Sequence, residues 1–355
     1  METGAPLGVG RRRGVCYDVG RVLYGDWRKD YSPALVHREL EIIARDLHCN
    51  AVRICARDLD RLVVAAKYAL DMGLEVWLSP ELWNKSPKDT LNHLVAAAEA
   101  AEELRKAWPE QVVLSVGTEL TLFMKGIVPG GTLWQRMRNA FAGGIVKSGR
   151  HNPPLNAYLA EATAAAGRVY EGPLTYGSLS FEQVDWEPFD VIGIDHYRGA
   201  PNRDRYAETL TPLLAQGKPV AVLEFGCCTY RGAEAAGGRA FDIVDLKSLV
   251  LSQLPVVGRF VRPRLQGPYV RDEALQAREI IDQLDILERA GVNGTFVFTF
   301  VFPNNPYDDE PIHDLDMASY SLVKSYAHGR RGATYPDMTW EPKEAFWAVA
   351  EHYAK

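Results

Sequence analysis

No apolar run in this chain approaches the roughly 20 residues that a membrane-spanning helix needs. The first ten residues, Met1–Gly10, contain no apolar core of the kind a secretory leader carries. A membrane partner is therefore not expected, and a cytoplasmic location is the default expectation. Cysteine is scarce: there are five, Cys16, Cys49, Cys55, Cys227 and Cys228. An odd count at these spacings fits neither a disulfide framework nor a zinc site, so reduced, buried thiols are expected. The Cys227-Cys228 pair follows Glu224 closely enough to bring a thiol to that carboxylate. There is no GxGxxG after a first strand, no HExxH, no EF-hand loop and no internal repeat. Neither a cofactor nor a metal is expected. An excess of positive charge is also lacking. A net charge of -6 argues against a nucleic-acid partner, and the short run Arg11-Arg12-Arg13 is read as a solvated edge.

What is present suits a folded enzyme. The 355 residues are 47% hydrophobic and 24% charged, enough for a sizeable core. Eight short β-favouring runs recur, at 14–20, 50–55, 74–80, 112–118, 174–178, 190–197, 219–226 and 294–300. Most are followed by a helical pattern: 33–48 behind a Ser32 cap and Pro33, 59–72 ending at Gly73, 89–108, 133–146, 154–169, 204–216, 272–290 and a closing helix in 340–353. Strand–helix alternation implies a parallel sheet. Eight such units predict a single (β/α)8 TIM barrel over residues 1–355, with a lid or insertion at 227–268 after strand seven and a long polar loop after strand eight. An open doubly wound sheet is the alternative, but it would carry the missing glycine motif.

In such a barrel the site lies at the C-terminal ends of the strands. Two apolar strands end in a carboxylate: Val112 to Thr118 runs into Glu119, and Pro219 to Leu223 into Glu224. The other strand ends offer Asp18, Arg53, Glu81 with Trp83, Ser178, then Asp195, His196 and Tyr197, and finally Thr299 and Phe300. Buried carboxylates need a counter-charge, and Arg53 is the candidate. Tyr24, Trp27, Trp83 and Tyr176 are candidate stacking platforms. The acidic loop Tyr307–Asp316 around His313 matches no metal motif and is read as solvated.

The strand ends in this order resemble the retaining (β/α)8 glycoside hydrolases of clan A. Gly117-Thr118-Glu119-Leu120, Leu223-Glu224-Phe225-Gly226, Val191 to Tyr197, Arg53 on strand two and Trp340-Glu341-Pro342-Lys343 carry the resemblance. It implies Glu119 as general acid/base and Glu224 as nucleophile. Arg53, Thr118, His196, Tyr197, Asp18, Trp83, Ser178 and Phe300 would then contact or orient a small-molecule or oligosaccharide substrate. Two positions depart from the clan pattern: Thr118 stands where an Asn precedes the acid/base, and Thr299 and Phe300 stand where strand eight has a Trp. Beside glycoside hydrolysis or transfer, two readings therefore stay open. One is non-glycosidic acid/base chemistry on the same barrel, as in a cyclase, lyase or isomerase; the other is a pseudoglycosidase that binds a carbohydrate or a protein. The sequence leaves the oligomeric state open.

Overall fold

A computed structural model describes residues 10–21 and 27–355. Tyr24 and the stretch before Gly10 lie outside the described residues. Eight strands, β1 (Arg12–Gly20), β2 (Ala51–Ala56), β3 (Glu75–Pro80), β4 (Val112–Thr118), β5 (Leu174–Leu179), β6 (Ile192–Asp195), β7 (Val220–Phe225) and β8 (Gly294–Val297), pair in parallel and in sequence order. β8 returns to β1 and closes the barrel. The (β/α)8 expectation holds.

Helices α1 (Pro33–Arg45), α2 (Leu59–Asp71) and α3 (Pro87–Ala107) cover the first strands. Each starts on a side-chain cap (Ser32, Asp58 or Ser86) that accepts backbone N–H groups of the first turn. Next come α4 (Leu120–Phe123), α5 (Leu133–Phe141) and α6 (Asn152–Ala166), then the short α7 (Thr211–Leu214), α8 (Ala233–Ala236) and α9 (Leu246–Ser252). α10 (Glu273–Ala290) ends on Gly291 in the left-handed region at φ 86°, where glycine carries no Cβ penalty. A small antiparallel pair, β9 (Val323–Ser325) and β10 (Trp340–Pro342), precedes α11 (Glu344–Tyr353). The helix expected at 204–216 is instead two 3-10 turns, Arg203–Arg205 and Glu208–Leu210, followed by α7. Pro212 cannot donate the bond that would continue a helix through it. Among the described residues no helix is long and apolar enough to cross a membrane.

Alternation along the strands divides the core. One face packs against the helices. The other fills the barrel with Trp77, Val113, Leu223 and Phe296, the rings of Trp77 and Phe296 lying 5.0 Å apart. Gly193 has to be glycine: a Cβ there would lie 2.5 Å from the Tyr176 carbonyl and 2.7 Å from Leu223. At the barrel floor Arg12 is buried and pairs with Glu75 at 3.0 Å, and Glu75 also accepts from the Trp77 indole at 2.7 Å. The basic run at 11–13 is therefore not simply a solvated edge; its central arginine seals the floor.

The segment expected as a lid forms a small core of its own. Cys227, Cys228, Tyr230, Ala240, Leu265 and Tyr320 pack together there. Both cysteines are buried in this cluster, where burial pushes their thiols up and their charged neighbours include Glu279, Glu234, Asp316 and Lys343. The acidic loop after β8 closes against this segment. Arg262 pairs with Asp308 and Glu310, Arg271 with Asp314 and Asp316 at 2.9 and 2.8 Å, and Lys343 with Asp316 at 2.8 Å. Asp314 and Asp316 are buried. That half of the loop is an internal charge network, which corrects the expectation of a solvated loop.

Candidate active site

Running parallel, β4 and β7 bring their glutamates to the same end of the barrel, and both break strict alternation near that end. The register of β4 slips between Ser115 and Thr118, and that of β7 between Val222 and Phe225. Such slips re-aim a side chain. Leu223 and Glu224 consequently both face inward, as do Ser115 and Thr118. Glu119 follows in the left-handed region, φ 48° and ψ 39°, a conformation an L-residue holds only when its surroundings enforce it. They do so here through three consecutive amides. The Glu119 N–H donates to the Gly177 carbonyl at 2.8 Å, that of Leu120 to the Tyr176 hydroxyl at 2.9 Å, and that of Thr121 to Glu182 at 3.3 Å. Tyr176 in turn donates to Glu182 at 3.0 Å. Tyr176 is thus a buried support beneath the Glu119 loop and not a stacking platform.

Arg53 is the hub of the site. It is 1% exposed. One nitrogen donates to Glu224 Oε1 at 2.7 Å; the other donates to Thr118 Oγ1 at 2.7 Å and Ser79 Oγ at 3.2 Å, and lies 3.5 Å from Glu81. Tyr197 donates to the second Glu224 oxygen at 3.1 Å. Arg21, which the strand pattern does not single out, bridges Asp18 and Glu81 at 3.1 Å each and stands 3.7 Å from Glu224. Asp18 Oδ1 also accepts the amides of Gly20 and Arg21.

The carboxyls differ in what surrounds them. Burial, then the charge of Glu224, then Glu182 and Glu81 push the half-buried Glu119 well above the usual carboxylate range, and Arg53 offsets only part of this. Asp195 is likewise raised by burial and by Glu224. Glu119, Asp195 and Glu224 each place a carboxyl oxygen within 4.8 Å of the others. By donor set alone these three oxygens could hold a cation, although the Arg53 guanidinium already stands against Glu224.

Aromatic rings wall the mouth. Trp83 stacks on Phe123 with centroids 4.3 Å apart, meets Trp27 edge-on at 5.3 Å and carries Arg21 over its face at 5.7 Å. Phe302 packs on Trp27 from beyond, also at 5.3 Å. Phe298 contacts Arg21 at 5.5 Å and the rings of Tyr197 and Tyr320 at 6.5 and 6.0 Å.

The structure thus brings together Glu119, Glu224, Arg53, Thr118, Tyr197, Asp18 and Trp83. It separates three others. His196 turns outward, stacks on Tyr206 at 4.3 Å and bonds to the Tyr206 carbonyl at 3.0 Å. Strand alternation points Asp195 and Tyr197 inward and His196 away. Ser178 donates to the Gly193 carbonyl at 3.0 Å, a bond within the barrel wall. Phe300 lies in the outer core between Tyr17, Trp340 and Phe346. β8 ends at Val297, and the chain then folds over β1, with the Phe300 N–H and the Thr299 hydroxyl both donating to the Cys16 carbonyl. Phe298 holds the inward position instead. Arg21, Phe298 and Glu182 are therefore additions to the site, and Asp195, a strand-end candidate not assigned a substrate contact, joins them. For Asp195 the signal was present in the period-two pattern that includes Tyr197.

No family model matches this sequence, and no curated protein matches it by sequence search. Solved structures do match in fold. A GH113 β-1,4-mannanase aligns over 98% of this chain and 100% of its own at TM-score 0.60 and 14% identity. The GH113 β-mannanase AaManA from Alicyclobacillus acidocaldarius, in complex with ManMIm, aligns over 99% of both chains at 0.60 and 16%. Bacteroides uniformis β-glucuronidase 2, covalently bound to cyclophellitol-6-carboxylate aziridine, aligns over 97% of this chain and 35% of its own at 0.56 and 13%. At these identities the likeness concerns the fold: this chain has the (β/α)8 barrel architecture that these glycoside hydrolases share.

Proposed function

We propose that this protein cleaves or transfers a glycosidic bond with retention at the anomeric carbon, Glu119 acting as general acid/base and Glu224 as nucleophile. The observation that carries this reading is the asymmetry between the two carboxyls. Glu224 is held by the Arg53 guanidinium and the Tyr197 hydroxyl, partners that suit a carboxylate nucleophile. Glu119 keeps its proton to higher pH because burial and negative neighbours oppose its ionisation, as a general acid requires. Oxygens of the two lie within 4.8 Å. That supports the separation of roughly 5–5.5 Å of retaining enzymes over the roughly 6.5–9.5 Å that leaves room for a water. The similar barrels named for mannan and glucuronide cleavage support a glycoside or oligosaccharide as the ligand.

In the first step a Glu224 oxygen attacks the anomeric carbon while Glu119 gives its proton to the departing oxygen. The glycosidic C–O bond breaks and a glycosyl ester forms. In the second step Glu119, now a carboxylate, takes a proton from water or an acceptor hydroxyl as that oxygen attacks the anomeric carbon and frees Glu224. The test is Glu119→Ala with an aryl glycoside whose phenol leaves unaided. Turnover should fall by about 10²–10⁴, and azide should restore it, giving a glycosyl azide of retained configuration. No rescue from folded variant, or an azide of inverted configuration, would overturn the assignment.

A further inference from the structure

The barrel mouth gathers more carboxyls than cations. Asp18, Glu81, Glu119, Asp195 and Glu224 converge there against Arg21 and Arg53. Both guanidiniums are engaged: Arg21 holds Asp18 and Glu81 at 3.1 Å, and Arg53 holds Glu224 at 2.7 Å. Asp195 makes no ion pair with either among the described residues, although the Arg53 charge offsets part of its burial. It is 4% exposed, and among the described residues neither of its oxygens has a hydrogen-bond partner. It is nonetheless firmly placed. It ends β6, and Oδ2 lies 3.3 Å from where a Cβ on Gly177 of β5 would stand. Its carboxyl faces those of Glu119 and Glu224 within 4.8 Å.

A buried carboxyl with both oxygens unpaired is unfavourable unless a ligand completes it. We infer that Asp195 receives an ammonium group of the substrate, so that the site takes an amino-bearing sugar in preference to its all-hydroxyl counterpart. An ammonium carries three donors on one atom and a single positive charge. It can bond Asp195 and a second carboxyl together while reducing the negative excess. A divalent metal suits the place less well, because the Arg53 nitrogen already lies against Glu224. That the ligand is a sugar rests on the proposed glycosidase reading; the amine subsite rests on Asp195.

The experiment is a ligand-observed NMR titration of the full chain. The probes are methyl 2-amino-2-deoxy-, 3-amino-3-deoxy- and 6-amino-6-deoxy-hexosides, each against its hydroxyl parent, in wild type and Asp195→Asn. At least one amine should bind wild type about tenfold or more tighter than its parent, as expected for a desolvated charge pair. In Asp195→Asn that ratio should collapse towards one, whatever the absolute affinities become. Wild type alone decides the first point, so a variant that folds poorly does not obscure it. Equal affinity for amine and parent across the wild-type panel would overturn the inference. So would a preference that Asp195→Asn retains, or Mg²⁺, Ca²⁺ or Mn²⁺ displacing the amine from wild type. Amine preference without any glycosyl–enzyme adduct would uphold this inference and defeat the glycosidase reading; an adduct from neutral sugars without amine preference would do the reverse.

Discussion

Arg53 sets one guanidinium nitrogen 2.7 Å from the Glu224 carboxylate and the other 2.7 Å from the Thr118 hydroxyl. One side chain on β2 thereby ties the tip of β7 to the tip of β4, the two strands that carry the glutamates. Both members of the Arg53–Glu224 pair are buried, so removing one strands the other's charge. Arg53→Met should lower stability by about 3–5 kcal/mol, seen as a lower denaturant midpoint, and abolish activity. Arg53→Lys keeps the charge but not the planar fork, and should recover part of the stability and little of the activity. A midpoint for Arg53→Met equal to that of wild type would contradict this role.

Glu182 links pH to stability. Burial, the largest influence on it, raises its carboxyl from 4.5 to about 7. A carboxyl whose pKa is higher folded than unfolded favours the folded state fully below its unfolded value, and that contribution is lost as pH climbs through the folded one. Glu182→Gln does not titrate. The melting temperature of the variant minus that of wild type should therefore rise between pH 4.5 and about 7 and be level outside that window. A difference independent of pH would exclude the raised carboxyl.

The same substitution should reach the chemistry. Glu182 is one of the negative neighbours that raise Glu119. In the proposed mechanism the acid form of Glu119 is the active one in the first step, so its titration should set the alkaline limb of kcat/KM. Removing the Glu182 charge should move that limb to lower pH. An unmoved or alkaline-shifted limb would show that another group controls it.

Phe298 and Phe300 should separate cleanly. Phe300→Ala empties a fully buried site among Tyr17, Trp340 and Phe346 and should destabilise by about 3–5 kcal/mol. Phe298→Ala removes a half-buried ring beside Arg21 and Tyr197, and should lower kcat/KM with a smaller loss of stability. Calorimetry beside steady-state kinetics checks both, and the reverse pattern would put Phe300 at the site.

The barrel was legible because each of its strands is a short apolar run bounded by turn residues and usually followed by a helical pattern. The paired glutamates were legible because a carboxylate ending such a run is conspicuous. What was hidden follows from where alternation stops. Phe300 keeps the parity of Phe296, but β8 ends at Val297, so parity no longer predicts its direction. Residue type favours His196 as a site residue, but alternation with Tyr197 places its neighbour Asp195 inward. Arg21 lies just past the end of β1, where no periodicity marks a side chain's direction. Glu182 reaches the Glu119 loop by accepting the Thr121 amide from 61 residues away, a contact that the pairing of β4 with β5 creates.

The most direct test of the central claim is the intact mass of the protein after incubation with a panel of activated 2-fluoro glycosides, with Glu224→Gln alongside. Attack by Glu224 predicts a stable increment of one fluoroglycosyl group, mapping to the peptide that contains Glu224 and absent from the variant. No increment across the panel from folded protein, or an increment on another residue, would contradict double displacement through Glu224.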